Sequence, residues 1–161
     1  MTYRDFMQTA LYDPLKKAST FPEDTSDPPQ SREELYLISD GQATQQTETR
    51  DLSANLPAGG HLSTEGDLIR FAIAYANRDV ISESSIAVMT SLPKDKTGQT
   101  INTGYGHGVD FMRDFPGSIG HGGRQEGTTT LIVYLPEYDV SIAVLSNAEG
   151  WNGINAFTGD L

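Results

Sequence analysis

The chain has 161 residues, the size of one ordinary domain, of which 37% are hydrophobic and 20% charged. Its 11 basic and 22 acidic residues give a formal net charge of −11, which disfavours phosphate backbones and anionic membrane surfaces as partners and reads as a solubility feature. The absence of cysteine excludes disulfides, thiolate catalysis and zinc–thiolate sites without assigning a compartment.

In chain order, residues 2–12 read as a helix: Tyr3, Phe6, Met7, Ala10 and Leu11 fall at helical spacing. Thr2 can cap it with Asp5 as a capping-box partner, and Pro14 stops it. The opening residues carry no apolar h-region, so no signal peptide is read there. Ser19 to Glu34 is polar and proline-punctuated and reads as a surface loop. Its acidic run, Glu23 to Asp27, lacks the glycine and terminal Glu of a calcium loop. Leu35 to Ile38 is a short strand ended by the turn pair Asp40-Gly41. Residues 42–56 look irregular, and Leu56 to Gly60 is a loop that needs backbone freedom.

Ser63 or Thr64 caps the next helix, whose apolar face holds Leu68, Ile69, Phe71, Ala72, Ile73 and Tyr75. A shorter helix starts at Ser82 and carries Ile86, Val88 and Met89. After a polar loop, Tyr105 to Phe111 alternates like a strand around glycines. Thr128 to Tyr134 and Val140 to Leu145 are apolar strands joined by the turn Pro136 to Asp139, a strong hairpin signal. The tail from Asn147 ends without a clear element, so nothing C-terminal is expected to cover the far face of that hairpin. No apolar run is long enough to span a bilayer.

Four stretches in this order resemble one family, the class C β-lactamases, related esterases and DD-peptidases of the penicillin-binding-protein kind. Tyr3 to Met7 running to Tyr12-Asp13-Pro14-Leu15 is similar to a helix that ends in a Phe/Tyr-x-Pro-Leu turn. Pro57-Ala58-Gly59-Gly60-His61-Leu62-Ser63-Thr64-Glu65-Gly66-Asp67-Leu68-Ile69-Arg70-Phe71 is similar to a long family stretch, PAGG-x-x-ST-x-x-DL-x-RF. Tyr105-Gly106-His107-Gly108 resembles a strand beginning YG-x-G, and Gly120-His121-Gly122-Gly123 precedes the hairpin and Val144-Leu145-Ser146-Asn147. The resemblance covers most of the chain. It implies an α+β fold, an antiparallel sheet flanked by helices of β-lactamase/transpeptidase type, here a single partial domain over 1–161.

In that family a nucleophilic Ser and its Lys come early, in Ser-x-x-Lys. A Tyr-x-Asn motif follows, and a Lys-Thr-Gly or His-x-Gly lies on a late strand. This chain resembles the part after the second motif. The strings themselves do recur, as Ser91-Leu92-Pro93-Lys94, Tyr75-Ala76-Asn77 and Lys96-Thr97-Gly98. Ser-x-x-Lys needs a helix to put hydroxyl and amine on one face, and Pro93 falls between them. The order is also wrong, so these read as chance matches.

Gly120-His121-Gly122-Gly123 stands where the third motif belongs. The resemblance implies that His121 projects into the cleft and that Gly123 leaves room beside it. It also implies that the backbone N–H of Arg124 is an oxyanion donor of the kind that stabilises a tetrahedral intermediate. Without the resemblance, the same glycines read simply as a turn into the hairpin. A Lys there would offer a permanent positive charge to a substrate carboxylate. An imidazole does not, which points to esters or amides without a strict carboxylate requirement. His61, His107 and His121 have no metal-ligand spacing, so neither metal nor cofactor is expected. The expected partner is a small-molecule or peptide substrate in the parent enzyme. No nucleic acid and no membrane span are expected, and sheet left uncovered predicts self-association. A rival reading is a non-catalytic peptide- or partner-binding module of the same fold.

Overall fold

The computed structural model describes residues 1–23, 32–47, 51–112, 115 and 117–154. Helix α1, Tyr3–Met7, begins with the expected capping box. The Asp5 N–H donates to Thr2 Oγ1 (3.2 Å) and the Thr2 N–H donates to Asp5 Oδ2 (3.0 Å). The helix then widens into a π turn, Gln8–Tyr12, in which the Asp13 N–H reaches back to the Gln8 carbonyl. A wider turn carries later side chains off the 3.6-residue phase. Of the face read from spacing, Tyr3, Met7 and Leu11 are half-buried and Phe6 is 50% exposed, while the fully buried side chain is Tyr12, 2% exposed, which that spacing left out.

The polar stretch from Ser19 is a surface loop only in part. Strand β1, Phe21–Pro22, pairs antiparallel with β4, His61–Leu62. Thr20 and Glu23 are buried, and Glu23 holds Arg32 at 2.7 Å. Residues 24–31, including most of the acidic run, lie outside the described residues.

Strand β2, Leu35–Ser39, pairs antiparallel with β3, Gln42–Gln46, across Asp40 (φ 51°) and Gly41 (φ 77°). Two consecutive positive φ angles make the hairpin turn whose twist matches the strands. β3 has no apolar alternation, so the Asp-Gly turn and its partner strand, rather than its own side chains, make it extended.

Helix α2, Glu65–Asn77, is capped by Thr64, whose Oγ1 accepts from the Asp67 N–H. It ends at Arg78 in the left-handed region. Ala72, Ala74 and Tyr75 are buried, whereas Ile73 is 49% exposed. Helix α3, Glu83–Met89, is capped by Ser82 and buries Ile86, while Val88 is 60% exposed. Tyr105 to Phe111 is not a regular strand. Gly108 (φ 83°) reverses the chain, leaving single bridges from Tyr105 to Asp110 and from Asp110 to Gly120.

The last third is an antiparallel sheet in the order β5 (Ile119–Gln125), β6 (Thr128–Leu135), β7 (Val140–Ser146). The glycine-rich motif thus lies inside a strand. On β6, Thr129, Leu131, Val133 and Leu135 are buried, the period-2 pattern of a half-covered strand. With Met112 and Ile154 the three aliphatic residues form the core, and Ile142, Val144 and Trp151 pack against it. Trp151 and Ile154 overturn the expectation that nothing C-terminal covers this face. A Gly-punctuated segment has too little periodicity to reveal them. Residues 155–161 lie outside the described set. On the other face, α2 lies against β6 and β7. Strand β8, Ala148–Glu149, pairs parallel with β2, and its Ala148 carbonyl accepts from Thr129 Oγ1 of β6 (2.9 Å). The architecture is the expected α+β one, an antiparallel sheet flanked by helices.

One buried carboxylate ties the N-terminal segment to α2. Asp67 is 3% exposed. Its Oδ2 accepts from the Ser19 N–H and from Thr20 Oγ1, each at 2.9 Å, and its Oδ1 accepts from Arg70 Nη1 at 2.8 Å. Lys17 is buried beside it, its Nζ 5.3 Å from the Phe71 ring centre and 5.9 Å from that of Tyr12. Burial lowers the Lys17 pKa, and Asp67 opposes that shift. Asp67, Arg70 and Phe71 of the long motif are thus structural residues. Asp67→Asn keeps the shape but loses the charge-assisted bonds, so unfolding in urea should show a loss of about 3 kcal/mol. A change within about 0.5 kcal/mol, as at an ordinary surface position, would show that the carboxylate is dispensable.

Candidate functional site

β5 is an edge strand, and its register decides which backbone groups face outward. The Gly120 N–H and C=O exchange hydrogen bonds with Asp110, at 3.1 and 2.7 Å, on the side away from β6. The Gly122 N–H also points that way, 3.3 Å from Asp110 Oδ2. In an antiparallel ladder the outward groups recur every second residue. The backbone N–H of Arg124 therefore points to the same open edge as those of Gly120 and Gly122. Side chains alternate in the other sense: His121 and Gly123 pair with Ile132 and Thr130, opposite the face of Leu131 and Val133. His121, Gly123 and Arg124 are all exposed. The structure brings the three sequence-predicted residues to one accessible strand edge.

His121 has a defined partner that the sequence did not reveal. Tyr105 Oη lies 2.9 Å from its Nε2, with the rings edge-to-face at 5.7 Å and 76°. Its Nδ1 is 2.5 Å from the Gly122 carbonyl. Tyr105 reaches His121 because Asp110 bridges to both Tyr105 and Gly120, which lays the short reversal over the strand. The only signal for this pairing was the order of the two motifs.

The glycines differ in what they permit. A Cβ on Gly120 would fall 2.5 Å from the Ile132 carbonyl oxygen and 3.1 Å from the Val133 Cα, so strand-to-strand approach forbids a side chain there. A Cβ on Gly123 would fall 2.4 Å from Thr130 Oγ1. Gly123 is therefore held small by its cross-strand neighbour, independently of any ligand. Gly59, in the loop before β4, is linked to the far end of β5: Gln125 Nε2 donates to its carbonyl at 2.8 Å. The long motif thus reaches the candidate site through its loop as well as the N-terminal segment through Asp67.

His61 lies away from this edge, among Tyr3 (Oη to Nε2, 3.4 Å) and Tyr12. Burial, then Lys17 and Arg4, lower its pKa. Burial pushes the Tyr12 phenol up to about 12. Among the described residues no group of three or more His, Asp or Glu side chains is gathered as for a metal ion. No helix there is long and apolar enough to cross a membrane.

The three recurring strings occupy ordinary structural positions. Ser91 Oγ donates to the Val88 carbonyl just beyond α3 (2.7 Å), and Lys94 sits in an isolated bridge with Thr100, so the pair shares no helix. Tyr75 is buried in α2. Thr97 donates through N–H and Oγ1 to Asp95 Oδ1, an Asx turn rather than a strand.

A family model described as Beta-lactamase matches residues 1–160. No curated protein matches. Among solved structures, the chain is similar to an octameric penicillin-binding protein homologue from Pyrococcus abyssi (21% identity, TM-score 0.68, 99% of this chain and 38% of that one). It is also similar to a D-stereospecific amidohydrolase from Streptomyces sp. (24% identity, TM-score 0.72, 97% and 48%) and a D-amino acid amidase from Ochrobactrum anthropi SV3 (22%, 0.72, 91% and 45%). The chain spans less than half the length of each of these three proteins.

Proposed function

We propose that this chain, which belongs to the β-lactamase family, is the C-terminal part of a serine hydrolase that acts by acyl transfer on an amide, β-lactam or ester. In this reading β5 forms one wall of the cleft. The Arg124 N–H receives the developing oxyanion, His121 overhangs the substrate, and Gly123 leaves the approach open. The nucleophilic Ser and its Lys come from a segment outside residues 1–161, and the chain alone is inactive. The observation that carries the reading is the β5 register, which turns the Arg124 N–H to an open edge beside His121. The placement of Ser91 and Lys94 on no common helix supports it. So does the chain's short span against the proteins it resembles.

The likeness to a D-amino acid amidase and a D-stereospecific amidohydrolase favours an amide. His121, in place of a lysine, favours a substrate without a strict carboxylate requirement. A strong preference of the complete enzyme for carboxylated β-lactams over simple esters or amides would overturn that part.

The sheet ends at β7, whose outer edge has no strand partner among the described residues, and Val140 and Ile73 are exposed. An open edge pairs readily with another strand. This favours self-association of the isolated chain, a feature also named for the octameric Pyrococcus homologue. The same edge would serve the rival reading, a module that binds a peptide by strand addition.

Three experiments test these readings. Intact mass after incubation of the chain with a fluorophosphonate, and separately with a penicillin, should show no adduct, whereas a stoichiometric adduct on Ser91 would place the nucleophile inside the chain. In the complete enzyme Arg124→Pro removes only the outward N–H of an edge strand and should lower kcat roughly 100- to 1,000-fold, with Arg124→Ala nearly unaffected. Equal effects of the two would rule out the backbone donor. Light scattering of the isolated chain should report a mass above the monomer, and a clean monomer would remove self-association.

A further inference from the structure

Two hydrogen bonds account for both ring nitrogens of His121, and together they fix its protonation pattern. The Gly122 carbonyl can only accept, so Nδ1, 2.5 Å from it, carries the proton in the neutral ring. Nε2 is then a bare lone pair, and the Tyr105 hydroxyl 2.9 Å away donates to it. The tautomer on one ring nitrogen is set by what the other meets.

Tyr105 is itself held. Its N–H donates to Thr103 Oγ1 at 3.2 Å and its carbonyl accepts from that hydroxyl at 2.9 Å. The neighbouring Gly106 N–H donates to the Val109 carbonyl at 2.8 Å, closing the reversal. A Cβ on Gly106 would fall 2.3 Å from the Met89 carbonyl oxygen, so the reversal lies tight against the end of α3. Asp110 anchors its other end to Gly120 and Gly122. The backbone that carries the tyrosine and the strand that carries the histidine are thus stapled on both sides of the Tyr105–His121 bond.

We propose that Tyr105 is a positioning residue for His121: its hydroxyl holds the imidazole over the β5 edge in the Nδ1–H tautomer. This assignment rests on the reading of β5 as a cleft wall for its functional meaning, although the tautomer itself does not depend on it. With both nitrogens engaged, His121 offers a substrate no free ring N–H.

The test is nitrogen-15 NMR of the His121 ring in the 161-residue chain, with Tyr105→Phe as the comparison. Both proteins should give the same backbone amide pattern, since the phenyl ring keeps the packing. The unsubstituted chain should show a protonated Nδ1 and an unprotonated Nε2. With the Gly122 carbonyl still holding Nδ1–H, Tyr105→Phe should leave Nε2 unprotonated but without its hydrogen-bond donor, moving the Nε2 resonance downfield toward that of a free imidazole lone pair. An Nε2–H ring in the unsubstituted chain, or the same Nε2 resonance in both proteins, would overturn the proposal. In the complete enzyme, Tyr105→Phe should lower kcat/KM, and should have no further effect once His121→Ala is present, because the tyrosine acts through the histidine. Additive losses would overturn the positioning role. A shifted Nε2 resonance in Tyr105→Phe with full activity in His121→Ala would leave the positioning intact and instead remove β5 as the cleft wall.

Discussion

The join between the N-terminal segment and α2 hangs on the burial of one carboxylate. Asp67 sits in the first turn of α2, where its charge is favoured by the helix dipole, yet it is almost inaccessible to water. A buried charge is tolerated only when its lone pairs are filled. Ser19, Thr20 and Arg70 fill them, and in doing so they fix where the segment after α1 crosses the start of α2. The pairing of β1 with β4 and the bonds from Arg4 to the Pro22 and Glu23 carbonyls follow from that crossing. A polar interaction thus does here what an apolar core does under the sheet.

The sheet works by a different constraint. Gly120 lets β5 approach β6 more closely than any side chain would allow, and the ladder's two-residue alternation then sorts each β5 residue into inward or outward, upper or lower. His121 and the Arg124 N–H end up on adjoining aspects of one edge by counting alone. Asp110, crossing from outside, fixes the count by binding Gly120 through its backbone and Gly122 through its carboxylate.

Much of this was readable in the sequence. The capping residues Thr2, Thr64 and Ser82, the Asp40-Gly41 turn and the β6–β7 hairpin all carry local signals, and each is where those signals put it. The α+β class and the position of His121 came from the resemblance, not from local pattern. What stayed hidden is non-local or periodically silent. The π turn at Gln8–Tyr12 changes phase without changing residue type. β3 is extended because its partner is. Trp151 and Ile154 close the core from a segment without rhythm. The Tyr105–His121 pair joins residues whose proximity depends on a reversal at Gly106 to Gly108, which no spacing rule predicts. Asp67 was visible as part of a motif, but its role as an acceptor for Ser19 and Thr20 required the packing of two distant segments.

The parallel pairing of β2 with β8 has a consequence in time. Asn147 Nδ2 donates to the Glu34 carbonyl across 113 residues of sequence, and the Tyr36 N–H donates to the Asn147 carbonyl beside it. The β2–β3 hairpin and the β5–β6–β7 meander close short loops and can form quickly, whereas this junction must wait for a loop spanning most of the chain. Because β8 also bonds to Thr129 of β6, it joins the two sheets. On a ribosome the two hairpin systems would exist first as separate, edge-exposed pieces. Of the strands described, β8 would emerge after the others, and it is the one that latches them together.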